Sequence, residues 1–204
     1  MFADTRLGVF AVDLNLDNIS WAELDEHGNR IRGDMVCFSI NETTGQNRDA
    51  IGKACREIMK ICEKTNKLLA MEKLDLTKKK SRLAYGPSKA NRGSSMFAYK
   101  TMVAFLEEQA FRAGIAVIKI NPAYTSFIGK VKYMRCLRNA VHVSAAYVIG
   151  RRAMGFKERV PKYLKPLLKE ETLRKHHWSQ FATLSLKLKK IWTREFYRKD
   201  PVFS

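Results

Sequence analysis

From Leu7 to Val12 the chain is apolar on both sides: Leu7, Val9 and Ala11 alternate with Gly8, Phe10 and Val12. Successive strand side chains point to opposite faces, so this pattern predicts a strand over 7–16 covered on both. Asp13 then stands where another apolar residue would pack, and burying a carboxylate is costly unless something pairs with it. Strands are also predicted over 18–25 and 31–40, with "DEHGNR" between them as a hairpin turn, because Gly and Asn accept positive φ cheaply. Residues 48–66 place Ile51, Ala54, Cys55, Ile58, Ile61 and Cys62 on one helical face, with Asn47 as the expected cap. "KLLAMEKL" (67–74) is a short apolar run of the kind that forms a buried strand, interrupted by Glu72. A basic loop (75–95) follows. Then come a helix over 95–113, with Met96, Met102, Val103, Leu106, Ala110 and Phe111 as its apolar side, a strand over 115–122, and a helix over 142–154 with small residues on its packing side. A last helix is expected at about 169–192.

The order β-β-β-α-β-α-β-α implies an α/β fold: a mixed five-stranded sheet with helices on both faces. Its β-α-β crossover can bring the fourth strand beside the first. Asp13 and Glu72 would then face each other across neighbouring strands, about 5 Å apart at the backbone. Two anions so close repel unless a cation lies between them, and oxygen donors suit Mg²⁺ or Mn²⁺. The pattern by itself leaves a second reading open, in which these acids reach solvent at strand ends.

Charge adds a partner class. The 204 residues carry a net charge of +18, unevenly placed. Residues 1–50 hold four Lys/Arg against nine Asp/Glu, a balance of −5; the rest hold 34 against 11, a balance of +23. That asymmetry points to nucleic acid. Candidate phosphate contacts are Lys78, Lys79, Lys80, Arg82, Lys89 and Arg92 in the loop after Glu72, then Lys130, Lys132 and Arg135, then Arg151 and Arg152. Tyr85 and Tyr99 are candidates for base stacking or for packing. No apolar run reaches a membrane span, and the N-terminus lacks the form of a signal peptide, so a cytoplasmic, nucleoid-associated protein is expected. Cys37, Cys55, Cys62 and Cys136 form no C-x-x-C pair; all four are read as reduced and structural, and no zinc is expected. His176 and His177 are read as surface.

Four stretches in order, "GVFAVDLNLDNISWAELDEHGN", "LLAMEKLDL", "VIKINPAYTSFIGK" and "HVSAAYVIGRRAMGF", resemble the RuvC-like nuclease domain of OrfB/TnpB transposon proteins, relatives of the type V CRISPR effector nucleases. The resemblance covers about residues 7–157, and "NPAYTS" is its most specific part. It implies an RNase H-like (RuvC-like) domain over 1–157, a two-metal site, and RNA-guided cleavage of DNA; the basic, proline-interrupted residues beyond it read as a helical C-terminal extension over 158–204. It carries the first catalytic Asp onto Asp13 and the catalytic Glu onto Glu72. The family's third acid falls on His142, with Ser144 in place of the family's Asn. Residues 76–199 contain no Asp, and the nearest acid to this helix is Glu158. Histidine can ligate a divalent ion but leaves the site one negative charge poorer; the alternative is that His142 caps its helix. Asn15 replaces the family's Gly two residues after the first Asp. The zinc ribbon and the N-terminal guide-binding half of relatives have no counterpart, so a separate N-terminal chain is a candidate partner beside DNA and guide RNA.

Two function classes follow from these residues: a divalent-metal endonuclease domain, or a catalytically weakened remnant that only binds nucleic acid. An actin-like ATPase would also open on an Asp-bearing strand, but it needs Gly-rich phosphate loops, and "DLNLDN" has none.

Overall fold

A computed structural model describes residues 4–40, 43–73 and 89–189. Strand β1 (Val9–Leu14) is buried along its whole length, as its two-sided apolar pattern requires. It pairs antiparallel with β2 (Asn18–Leu24), which pairs antiparallel with β3 (Arg30–Cys37). Helix α1 (Thr44–Glu63) crosses over to β4 (Leu68–Glu72), parallel to β1 on its other side. Helix α2 (Lys89–Arg112) leads to β5 (Val117–Ile120), parallel to β4. The resulting order, β3-β2-β1-β4-β5, is a mixed five-stranded α/β sheet, as the sequence pattern implies.

Two cores lie on the two sheet faces. Phe10, Val12, Ile19, Trp21, Leu69 and Met71 face α1 and α2. Val9, Ala11, Ala22, Leu24, Leu68 and Ala70 face the opposite way. They meet α3 (Thr125–Ile128), a single π-helical turn (Gly129–Tyr133) and α4 (Val141–Ala153). Small residues bring α4 close: a Cβ built on Gly150 would lie 2.5 Å from Leu24 and 3.1 Å from Ala11. A 3₁₀ turn (Lys162–Leu167), α5 (Glu170–Leu173) and α6 (His177–Lys189) follow. Val160, Leu164, Leu168, Phe181, Leu184 and Leu188 join the α4 core, so the extension expected from residue 158 packs into the body of the fold. Among the described residues no helix is long and apolar enough to cross a membrane.

Several expectations shift. Thr43, not Asn47, caps α1: its hydroxyl accepts from the Gln46 N–H at 3.3 Å, and Asn47 is buried within the first turn. In α2 the buried stripe is Ala98, Met102, Leu106 and Ala110, and Phe111 is 87% exposed. Those four repeat at intervals of four, and Phe111 sits about 100° around the helix from Ala110. The final helix is broken at 174–176 into α5 and α6. Cys55 and Cys62 are buried thiols as expected, pushed up to about 12 mainly by burial, whereas Cys37 and Cys136 are exposed. The hairpin turn forms as read, with Asp25 Oδ1 accepting from the N–H groups of His27 and Asn29 at 2.9 and 2.7 Å.

Candidate active site

The β1–β4 register runs from Val9 opposite Leu68 to Ala11 opposite Ala70. Two residues further along both strands stand Asp13 and Glu72. Each shares the face of Ala11 and Ala70, the face that α4 covers. Alternation and the parallel crossover therefore bring both carboxylates to one end of the central strands and to one side of the sheet.

Asp13 is 5% exposed. Its Oδ2 accepts from Asn15 Nδ2 at 3.1 Å and lies 3.3 Å from His142 Nδ1. Asn15 Nδ2 also reaches Asn18 Oδ1 at 3.2 Å, which accepts from the Ser20 hydroxyl at 2.9 Å. Ser20 is Asp13's neighbour across the β1–β2 ladder. The residue that departs from the resembled family, Asn15, thus orients the carboxylate. Glu72 is held differently: its Oε1 accepts from the Thr125 hydroxyl, which also lies 3.1 Å from the Pro122 carbonyl. Tyr99 reports the shared field of these acids. Burial first, then the negative charges of Asp13, Glu72 and Asp17, raise its hydroxyl pKa. Tyr99 is half-buried against the core, which favours packing over base stacking.

His142 is the second residue of α4. Ala140 occupies the N-cap position and makes no side-chain capping bond, so His142 is not the cap. Its ring turns onto Asp13, and that hydrogen bond raises its pKa above the ordinary 6.5 while burial works against it. Among the described residues no three His, Cys, Asp or Glu side chains converge closely enough to hold a metal ion. The donor chemistry nevertheless fits a hard divalent cation: two carboxylates at one strand end with an imidazole beside one of them. Asp13, Glu72 and His142 would hold it.

The expected phosphate contacts divide. Lys78, Lys79, Lys80 and Arg82, with Tyr85, lie outside the described residues. Lys89 and Arg92 belong to the first turns of α2. Lys132 and Arg151 turn inward to the buried Glu158: Arg151 Nε donates to Oε1 at 2.6 Å, while Lys132 Nζ and the Tyr133 hydroxyl meet Oε2. Arg151 also donates to the Gly28 carbonyl at 2.9 Å, fastening the β2–β3 turn to α4. These two cations serve the fold and are not presented to a phosphate. Arg152 donates to the carbonyls of Asn121 and of Ala123, the latter at 2.9 Å, and lies over the Trp178 ring. Lys130 is half-buried, and burial lowers its pKa. Arg135 is exposed. His176 is exposed and His177 half-buried, their rings tilted at 43° with centres 4.1 Å apart.

Sequence reasoning missed Thr125 and Asn15 as members of this site. Both had a signal: Thr125 lies in "NPAYTS", and Asn15 was noted as a departure from a pattern.

No family model matches the chain, and no curated protein matches it. Among solved structures, the chain is similar to RuvC of Thermus thermophilus in complex with a Holliday junction substrate, at 14% identity and a TM-score of 0.47, covering 70% of this chain and 89% of that one. A Thermus thermophilus RuvC structure gives 14% identity and a TM-score of 0.47 over 72% of this chain and 96% of that one.

Proposed function

We propose that this chain is a divalent-metal-dependent, RuvC-like endonuclease domain of the OrfB/TnpB type, acting on DNA in an RNA-guided transposon system. The observation that supports it most is the placement of Asp13 and Glu72 at the same level of adjacent parallel strands, on one face, with His142 Nδ1 3.3 Å from Asp13. When bound, a pair of Mg²⁺ or Mn²⁺ ions would activate water and stabilise the leaving oxygen of an in-line displacement at phosphorus. The chain's own part is to hold the donors still. Asn15 fixes one Asp13 oxygen, Thr125 fixes one Glu72 oxygen, and the rigid end of β1 keeps Asp13 out of bulk water. Guide RNA and a separate N-terminal chain are the partners that the motif resemblance suggests.

A second reading rests on the His142–Asp13 contact. A protonated His142 supplies the positive charge that a metal would otherwise bring to Asp13, which suits a remnant that binds nucleic acid without cutting it.

Cleavage of single-stranded DNA, followed in Mn²⁺ and in Mg²⁺, separates the two. The nuclease reading expects a faster rate in Mn²⁺, since imidazole suits it better than Mg²⁺. It expects loss of cleavage in Asp13→Ala and Glu72→Ala with thermal unfolding retained, and higher Mg²⁺-supported cleavage in His142→Asp. Cleavage that persists in both acid variants sinks the assignment. A silent parent whose His142→Asp variant cuts establishes the remnant.

A further inference from the structure

We propose that Thr125 is a positioning residue for Glu72, and that the "NPAYTS" loop exists to hold its hydroxyl there, with Arg152 as the loop's clasp. The inference rests on the nuclease reading above, which makes Glu72 a metal-holding acid.

Thr125 opens α3 and is 2% exposed. One hydroxyl carries one proton, and two acceptors lie within reach, Glu72 Oε1 and the Pro122 carbonyl; Glu72 is the nearer. An ionised carboxylate is also the stronger acceptor. The bond fixes one Glu72 oxygen.

The loop is built around that placement. Pro122 fixes its own φ. Tyr124 takes the left-handed conformation, φ 61°, which is uncommon for a residue with a Cβ and needs support from its surroundings. Arg152 provides it from α4. Its two terminal nitrogens donate to the carbonyls of Asn121 and Ala123, on either side of Pro122. An arginine that reads as a phosphate contact in sequence thus ties the loop to the helix. The same helix carries His142, so α4 supports both ends of the acid pair: His142 beside Asp13, and Arg152, through the loop, behind Glu72. The Arg152 charge is itself within the electrostatic reach of Glu72.

Orienting partners of metal ligands are worth about 10-fold or more in metal affinity. The test is Mn²⁺ binding to the full chain, read from the loss of the free-ion electron paramagnetic resonance signal, for the parent, Thr125→Val, Thr125→Ser and Glu72→Gln. Melting temperatures are taken beside each titration. Thr125→Val keeps the shape and removes the proton donor; Thr125→Ser keeps the donor. The expected result is that Val weakens Mn²⁺ binding by about 10-fold, Ser binds within about 3-fold of the parent, and crystal structures show the Glu72 carboxylate in new rotamers only in the Val variant. Should Thr125→Val fail to fold, Thr125→Ala, which adds no bulk, carries the same comparison. Binding unchanged in the Val or Ala variant while Glu72→Gln weakens it overturns the role of Thr125 and leaves the metal reading standing. Equal damage from Ser and Val shows a packing role and also overturns it. A parent that takes up no Mn²⁺, or a Glu72→Gln variant equal to the parent, overturns the metal reading and this inference with it.

Discussion

Glu158 is 3% exposed, and its two carboxylate oxygens meet Lys132, Tyr133 and Arg151. Burial alone would raise its pKa, but these partners together hold it below the ordinary 4.5. A carboxylate depressed on folding contributes stability above its unfolded pKa and loses it as pH falls through the folded one. Glu158→Gln removes that contribution and leaves two half-buried cations without their anion, a change that costs about 3–5 kcal/mol. The variant should therefore unfold at lower temperature at neutral pH, and the gap from the parent should close as melts are taken from about pH 6 down to about pH 3. A gap that stays constant over that range would show that the Glu158 pKa is the same folded and unfolded, so that its buried ion pairs give no net stabilisation of the ionised form. The same residue marks what sequence hides. Lys132 and Arg151 read as surface charge because their partner stands 26 and 7 residues away along the chain. Asp13 was legible for the opposite reason: its context is local, a carboxylate following six residues apolar on both sides.

The elements legible from pattern were those whose burial is regular. Two-sided burial gave β1, apolar residues spaced by three and four gave α1, and the fourth strand's place beside the first followed from the crossover. Residues 125–133 were not legible as helix. "NPAYTS" begins with Asn-Pro, and Gly129 reads as a breaker. In the fold Gly129 instead permits contact between backbones. A Cβ there would lie 2.8 Å from the Ser144 carbonyl carbon and 2.8 Å from the Ala145 nitrogen. Its helical backbone, φ −52°, would suit alanine, which gains about 1 kcal/mol of helix propensity over glycine. Overpacking costs about 1–3 kcal/mol, and more where the obstacle is backbone, which cannot swing aside as a side chain can. The clash should win, so Gly129→Ala is expected to lower the urea midpoint of unfolding. A midpoint equal to or above the parent's would mean that the π turn and α4 are free to move apart. The break between α5 and α6 escaped notice because the Leu and Phe positions of 169–192 keep an apolar rhythm across it.

At the scale of the whole molecule, the net charge of +18 sets a long-range attraction for polyanions, while the fold decides which cations deliver it. Association with DNA should be of low sequence preference and strongly salt-dependent, each phosphate contact contributing about 0.9 to the slope of log affinity against log salt. Inward and outward cations can then be told apart by two independent readouts. Arg135 is exposed, so Arg135→Ala should weaken binding and reduce that slope by about 0.9 while lowering the melting temperature less than Lys132→Ala does. Lys132 is bonded to buried Glu158, so Lys132→Ala should lower the melting temperature and leave the slope unchanged. Fluorescence anisotropy with a labelled duplex, titrated from about 50 to about 300 mM salt, measures the slopes, and thermal melts of the same samples measure stability. A slope lowered equally by both variants would mean that Lys132 reaches phosphate when DNA is bound. In that case the Glu158 cluster would be a store of charge that binding can open, rather than a fixed tie between α4 and the segment that follows it.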